Sequence, residues 1–340
     1  MFRSLWKRMS GPETPASGQP PEAAAIEARP EALAPPAASV PATEVTSVEP
    51  QLRRALDWRV KVLMADLSPE VQKSDGPALV ELALRDEEAV LRQTPGAALE
   101  ALMLARDVDT PVHKLTTVFE KDPMLAQALL RLANSAWHRR DSDMLTSLPM
   151  SVQRIGQRGV QGVLTAALIQ QSLCRPGGGY DDQVHRVWSH MQRTAPLART
   201  LARAFGVDPE TAFMQALLHD VGKLVLFSHM TSLRLSVKRE LKLPDTFFRP
   251  MLWHLHEPLG GLAALRWELG EQSAHVIGTH HRRPAPTKPE LETEVLYVAE
   301  ALELARCNGA KFDLPKLWQD GALTADQAEV EAAITQLPSA

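Results

Sequence analysis

Apolar positions recur at helical spacing along most of this chain, and one stretch carries the densest pattern. Residues 213–227, FMQALLHDVGKLVLF, set Leu217, Leu218, Val221, Leu224 and Leu226 around a single polar pair, His219-Asp220. Apolar residues on every side predict one helix running through the domain core. A charge buried there is costly unless a metal or a hydrogen-bond network compensates it. Gly222 leaves room for a second backbone or a ligand, and Lys223 could hold an anion beside the pair.

The flanking pattern is also helical. Leu52, Leu56, Val60, Leu63 and Leu67 predict a helix that stops before Pro69. Leu79, Leu82, Ala83, Val90 and Leu91 predict another over 78–93, ended by Thr94-Pro95-Gly96, so residues 51–95 read as a helical hairpin. Further helices are expected over 97–106, 111–119, 124–136 (opened by Asp122-Pro123) and 149–174. Pro176-Gly177-Gly178-Gly179-Tyr180 then breaks the chain. It divides a 97–310 domain into a helical half, 97–175, and a second half, 180–308. The tail, 311–340, loosens, with one last amphipathic helix expected over 325–337. Strand-like alternation and solenoid periods are absent from the sequence, so the expected fold class is all-α.

The first fifty residues differ. In residues 1–11, MFRSLWKRMSG, Phe2, Leu5, Trp6 and Met9 share one helical face, with Arg3, Lys7 and Arg8 mostly elsewhere. That is the pattern of a docking helix for a membrane surface or a partner. Residues 12–50 collapse to Pro, Ala, Glu, Ser and Thr, which cannot bury enough apolar surface to offset ordering, and read as a disordered linker.

Composition narrows the function classes. The 340 residues are 44% hydrophobic but only 5% aromatic, which suits Leu- and Ala-rich helix packing better than a β-sandwich. A net charge of −4 gives no bulk attraction to nucleic acid, and Arg139-Arg140 is too short a basic cluster to supply it. Cys174 and Cys307 form neither a metal spacing nor a disulfide framework, which fits a reducing compartment. No apolar run reaches membrane-spanning length, and no signal-peptide core follows the first basic residues, so a cytoplasmic protein is expected.

The candidate chemistry lies in the histidines, nine of whose eleven follow Gly179. His190, His219-Asp220, His256, His280-His281 and Glu300 each sit on an otherwise core-facing helix, where an unpaired charge would be penalised. Five helices that each turn an imidazole or carboxylate inward suggest one polar centre. Its mixed nitrogen and oxygen donors suit Fe, Mn, Ni or Zn, and it is large enough for one or two ions. His254 is expected at the surface, with His185, His229 and His275 structural. A metal-free hydrogen-bond network is the alternative use of the same residues.

The order His190, His219-Asp220, His256, His280-His281, Glu300 resembles the HD superfamily of metal-dependent phosphohydrolases, with LLHDVGKLVL as its signature helix. A nearer resemblance is to the HDOD family, the HD-related output domains of bacterial signalling proteins. It rests on VFEKDPMLAQALLRLANSAWHRR (118–140), SLPMSVQRIG (147–156) and HEPLGGLAALRWEL (256–269), and covers about 97–308. The resemblance implies an all-α fold and, commonly, a non-catalytic role in signal transduction. It also implies that His190, His219, Asp220 and a terminal Asp bind metal, the last place being taken here by Glu300, one methylene longer. HD-GYP phosphodiesterases, which degrade cyclic di-GMP, are more distantly similar. Their paired histidines precede Glu and a Gly-Tyr-Pro run, whereas HHRRPAPTKPE follows here, and Arg186 stands where they carry Glu.

Two functions are therefore expected to compete. The first is a bacterial regulatory protein acting through protein contacts, with an unidentified signalling partner, no nucleic acid, and residues 1–11 as a peripheral contact. In it, Asn134, Ser135 and Trp137 serve packing, with Asn134 satisfying backbone groups at a helix end. The second is a metal-dependent phosphohydrolase of a nucleotide or cyclic dinucleotide. There one or two Fe, Mn or Zn ions would activate water, and Lys223, Arg282 or Arg283 would stabilise phosphoryl charge.

Overall fold

A computed structural model describes residues 47–85, 104–105, 110–135, 138, 144–174, 177–282 and 289–337. The proposed docking helix (1–11), nearly all of the 12–50 segment, residues 86–93 of the second expected helix, Thr94-Pro95-Gly96, and most of the 97–106 helix lie outside them. So do Trp137, Arg139-Arg140 and Arg283.

The described residues are all-α. In chain order the helices are α1 (Val48–Ala65), α2 (Pro69–Gln72), α3 (Gly76–Arg85), α4 (Val112–Lys121), α5 (Pro123–Ala133), α6 (Leu148–Leu173) and α7 (Asp181–Leu201). After a 3-10 turn at Ala202–Phe205 come α8 (Pro209–Leu218), α9 (Val221–Val237), α10 (Asp245–Arg266), α11 (Glu271–Thr279), α12 (Leu291–Cys307), α13 (Leu314–Gly321) and α14 (Gln327–Thr335). Local sequence explains many of the starts. The side chains of Ser68, Asp208, Asp313 and Asp326 accept backbone N–H bonds from the first turns of α2, α8, α13 and α14. Proline stands in the first turn of α2, α6, α8 and α13, where its missing N–H costs nothing.

Three apolar clusters hold the helices together. Leu115, Phe119, Leu125, Leu129, Ile155 and Leu164 join α4, α5 and the first part of α6. Val187, Trp188, Met191, Leu224, Phe227, Met251, Leu255 and Ile277 join α7, α9, α10 and α11, with Leu52, Leu56, Leu79 and Val80 of α1 and α3 in the same cluster. Ala195, Ala198, Leu201, Ala216, Val295, Val298 and Leu302 join α7, α8 and α12 to the C-terminal helices. α7 therefore contributes to two cores, with Val187, Trp188 and Met191 in one and Ala195, Ala198 and Leu201 in the other.

Several expectations change in three dimensions. Residues 213–227 are not one helix: α8 ends at Leu218 and α9 begins at Val221, with His219 and Asp220 as the end caps. A continuous helix would point two adjacent side chains in directions about 100° apart. The break, with Asp220 at φ −98° and ψ 11°, lets both enter one centre. His256 lies in the middle of α10. His254 is buried, not at the surface, because its carbonyl side is covered by Arg59 of α1. The tail is more ordered than its pattern suggests: α13 precedes α14 and seats Leu314 in the core. α6 is interrupted at Gly156, whose φ of 68° favours glycine. The glycine break before α7 occurs as expected, with Gly177 and Gly179 both at positive φ.

Asn134 acts on backbone, as its position suggests. It donates from Nδ2 to the Leu145 carbonyl at 2.8 Å and accepts the Leu145 N–H at 2.7 Å, closing the connection between α5 and α6. Gly222 serves the close approach foreseen for it: α9 and α10 cross there so tightly that any Cβ would overlap the His256 carbonyl. Backbone cannot yield as a side-chain end can, so Gly222→Ala should cost at least about 2 kcal/mol. Urea denaturation of the variant beside wild type checks this, and a midpoint within error of wild type would refute the crossing.

Candidate metal centre

His190 comes from α7, His219 and Asp220 from the α8–α9 break, His256 from α10, His280 and His281 from the end of α11, and Glu300 from α12. All seven are buried, none more than 5% exposed. Their donor atoms fall into three overlapping groups: His190, His219 and Asp220; His256, His280 and His281; and His219, His280 and Glu300. The structure thus brings together the seven histidine and carboxylate residues that the sequence pattern nominated as ligands.

The tautomers are fixed by what the far side of each ring meets. Nδ1 of His219 lies 2.8 Å from the Ala216 carbonyl, that of His280 2.8 Å from the Ile277 carbonyl, and that of His256 2.8 Å from the Leu252 carbonyl. A carbonyl can only accept, so each Nδ1 carries the proton and each Nε2 presents a lone pair. His190 Nδ1 lies 2.6 Å from the Glu303 carboxylate, which imposes the same tautomer. The Nε2 atoms then converge: His190 and His219 face each other at 3.2 Å, and His256 and His281 at 3.1 Å. In the His190–His219 pair both Nε2 atoms present lone pairs, which have no reason to approach so closely in a finished hydrogen-bond network.

Asp220 lies between the two histidine pairs. Its Oδ2 is 3.5 Å from His219 Nε2 and 4.0 Å from His190 Nε2, while Oδ1 is 3.6 Å from His256 Nε2 and 3.9 Å from His280 Nε2. Asp220 Oδ1, His280 Nε2 and Glu300 Oε2 are buried without a hydrogen-bond partner among the described residues. Orphaned polar atoms of this kind are costly, and all three belong to the convergent set. The donors fit a cation: imidazoles and carboxylates around one interior point, with four of the five rings braced from behind.

Charge agrees with this picture. Burial lowers His219 well below its ordinary pKa and lowers His256 to about 3, so both rings are neutral near pH 7. Burial alone would raise Asp220, but the Lys223 ammonium 2.7 Å from Oδ2, together with His219, His256 and His190, holds the carboxyl well below its usual range. Lys223 is therefore a partner of the centre's carboxylate. Arg282 is turned elsewhere: it is buried, donates to the Gly321 carbonyl at 3.0 Å, and tethers the α11 exit to the C-terminal segment. It is not placed as the phosphoryl partner that the sequence suggested.

Two further acidic residues complete the centre, and sequence reasoning passed over both. Glu303 holds His190 and also meets Arg193; burial opposes its charge, yet the His190 bond brings its pKa down to about 2. Its signal was the same as that of Glu300, one carboxylate among apolar residues of α12, a single turn later. Glu257, adjacent to His256, accepts the His281 backbone N–H at 3.0 Å. Trp253 stacks on His281 with ring centroids 4.4 Å apart.

The HDOD domain profile matches residues 91–283. The chain belongs to the HDOD family. Two solved structures share the fold of this HDOD protein. A candidate phosphohydrolase from Shewanella amazonensis SB2B superposes with a TM-score of 0.52 at 19% identity, over 73% of this chain and 94% of its own. A candidate metal-dependent phosphohydrolase from the same organism gives 0.55 at 14% identity, over 76% and 98%. No functionally curated protein matches the chain. No helix among the described residues is long and apolar enough to cross a membrane.

The neutral, buried imidazoles make stability depend on pH in a stated direction. Between pH 6.5 and 5 the unfolded chain protonates its histidines while His219 and His256 in the fold do not, so unfolding takes up protons. Stability is then fully present above about pH 6.5 and falls as pH drops, by up to about 3 kcal/mol per pH unit for the two rings. The depressed Asp220 carboxyl keeps its contribution throughout that window. Chelator-treated protein unfolded in urea from pH 7 to pH 5 should show this slope, reduced by about half in His256→Gln. A flat profile would mean the rings are not held neutral.

Proposed function

We propose that this HDOD protein is a metal-binding regulatory protein, in which a buried two-ion centre sets how α7, α8, α10, α11 and α12 are held for contact with a protein partner. The observation that carries the reading is the pairing of convergent Nε2 atoms on either side of Asp220. His190 and His219 would hold one ion with Asp220 Oδ2. His256, His280 and His281 would hold the other with Oδ1, and Glu300 stands close to both. First-row ions such as Fe, Mn or Zn suit these donors. With ligands from five helices, occupancy would couple elements distant in sequence, which is what a signalling module requires. Burial of every ligand and the Trp253 ring over His281 favour this role over turnover of a large substrate. A cytoplasmic protein partner completes the proposal.

A second reading, phosphohydrolysis, is favoured by Lys223 beside the central carboxylate. When bound, such ions supply Lewis acidity and an acidified water. The chain's own part would be to orient the ligands through Ala216, Ile277, Leu252 and Glu303, and to place the Lys223 cation beside developing negative charge.

Metal analysis of tag-free protein separates these readings from a metal-free core. We expect about two equivalents of first-row metal per chain, and almost none in the His219→Ala, Asp220→Ala double variant. Folded wild-type protein that cannot be loaded would end both readings. Loaded protein is expected to leave bis(p-nitrophenyl) phosphate and cyclic dinucleotides intact; turnover abolished by Lys223→Met would establish the second. Glu303→Gln should weaken metal binding about ten- to a hundredfold by freeing the His190 ring, measured by competition with a chelating dye.

A further inference from the structure

The matched domain begins at residue 91, so α1, Val48–Ala65, lies outside it. α1 packs along α10 and α11. Leu52 fills the space that Gly261 and Gly278 leave open, where a Cβ at either glycine would collide with its methyl groups. Two turns later, on the same face, Arg59 reaches inward. Its Nη1 donates to the His254 carbonyl at 3.1 Å, and its Nη2 lies 2.8 Å from Glu257 Oε2. The other oxygen of that carboxylate accepts the His281 N–H at 3.0 Å and lies 3.9 Å from His280 Nδ1.

We propose that Arg59 is a positioning residue: through Glu257 it holds the backbone turn that presents His280 and His281, so the seating of α1 tunes the half of the centre built from His256, His280 and His281. The proposal rests on reading that centre as a metal site. The physical reason is the state of Glu257 without its guanidinium. A carboxylate only 5% exposed that loses its counter-charge must move toward water or draw water in. Each response weakens its grip on the His281 amide. The planar fork, bonded at once to Glu257 and to a carbonyl of the same helix, also fixes the separation of α1 from α10, which a single-point cation cannot do as well. The other group, His190, His219 and Asp220, is braced by Glu303 and Ala216 and has no such dependence on α1.

The test uses the full chain with Arg59→Met, which keeps the packed stem and removes the fork, and Arg59→Lys, which keeps the charge. Two measurements are made: amide hydrogen exchange of the chelator-treated protein, and stepwise titration with Co2+. In Arg59→Met, exchange over 276–282 should rise at least tenfold while 216–222 keeps its wild-type rate, and Arg59→Lys should restore part of the protection. The second Co2+ equivalent should bind about ten- to a hundredfold more weakly, with the first unchanged. Wild-type exchange over 276–282 in Arg59→Met overturns the proposal, as does an equal rise over both segments, which would mean general loosening. An unchanged second equivalent overturns it also. If wild type takes up no Co2+, the metal reading falls, and the exchange comparison alone decides whether Arg59 positions the turn.

Discussion

The structure depends on how its imidazoles are held from behind. His219, His256 and His280 each give Nδ1–H to a carbonyl three or four residues earlier in their own helix, and His190 gives its proton to Glu303. These bonds use acceptors within reach of a helical residue, so they need little extra structure. Their effect is to fix four rings in one tautomer, with four lone pairs pointing into the same interior volume. Lone pairs so arranged repel one another and make the site costly unless a positive charge enters, and Lys223 supplies only part of that charge. The helices must nevertheless converge there, because the apolar clusters on either side of α7 leave this as the seam between them.

The break between α8 and α9 follows from the same constraint. A polar pair in mid-helix would send one side chain into the seam and the other along it. Ending α8 at Leu218 and restarting at Val221 brings His219 and Asp220 to bear on the same point, and Gly222 lets α10 approach until backbone meets backbone. That close crossing carries His256 to Asp220. The exit of α11 delivers His280 and His281, and the turn is secured on both sides, by Glu257 at the His281 amide and by Arg282 on the Gly321 carbonyl. Segments from both ends of the described chain thus reach the α11 exit, α1 through Arg59 and Glu257 and the C-terminal segment through Arg282.

Membership of the HDOD family fixes the kind of domain, but a fold does not choose between relay and catalysis. Here the choice turns on access. A regulatory centre can be sealed by residues such as Trp253, whereas a hydrolase must admit a phosphoryl oxygen to its ions. Burial of all seven nominated residues weighs toward the sealed alternative.

The sequence by itself determined the all-α class, the glycine break before α7, the Asp122-Pro123 start of α5, and seven polar residues that meet in the core. Each of these is a local signal: periodicity, a capping or breaking residue, or a charge where an apolar neighbourhood forbids one. Glu303 was within reach of the same argument. Only the tertiary structure decided the helix break at His219-Asp220, the burial of His254 under Arg59, the turning of Arg282 toward the C-terminal helices, and the bracing of His281 by Glu257. Those outcomes depend on which helices cross and how closely. That is set by packing between residues up to about two hundred positions apart, as for Arg59 and His254. A one-dimensional pattern shows that a polar side chain must find a partner inside; the partner's identity belongs to the crossing.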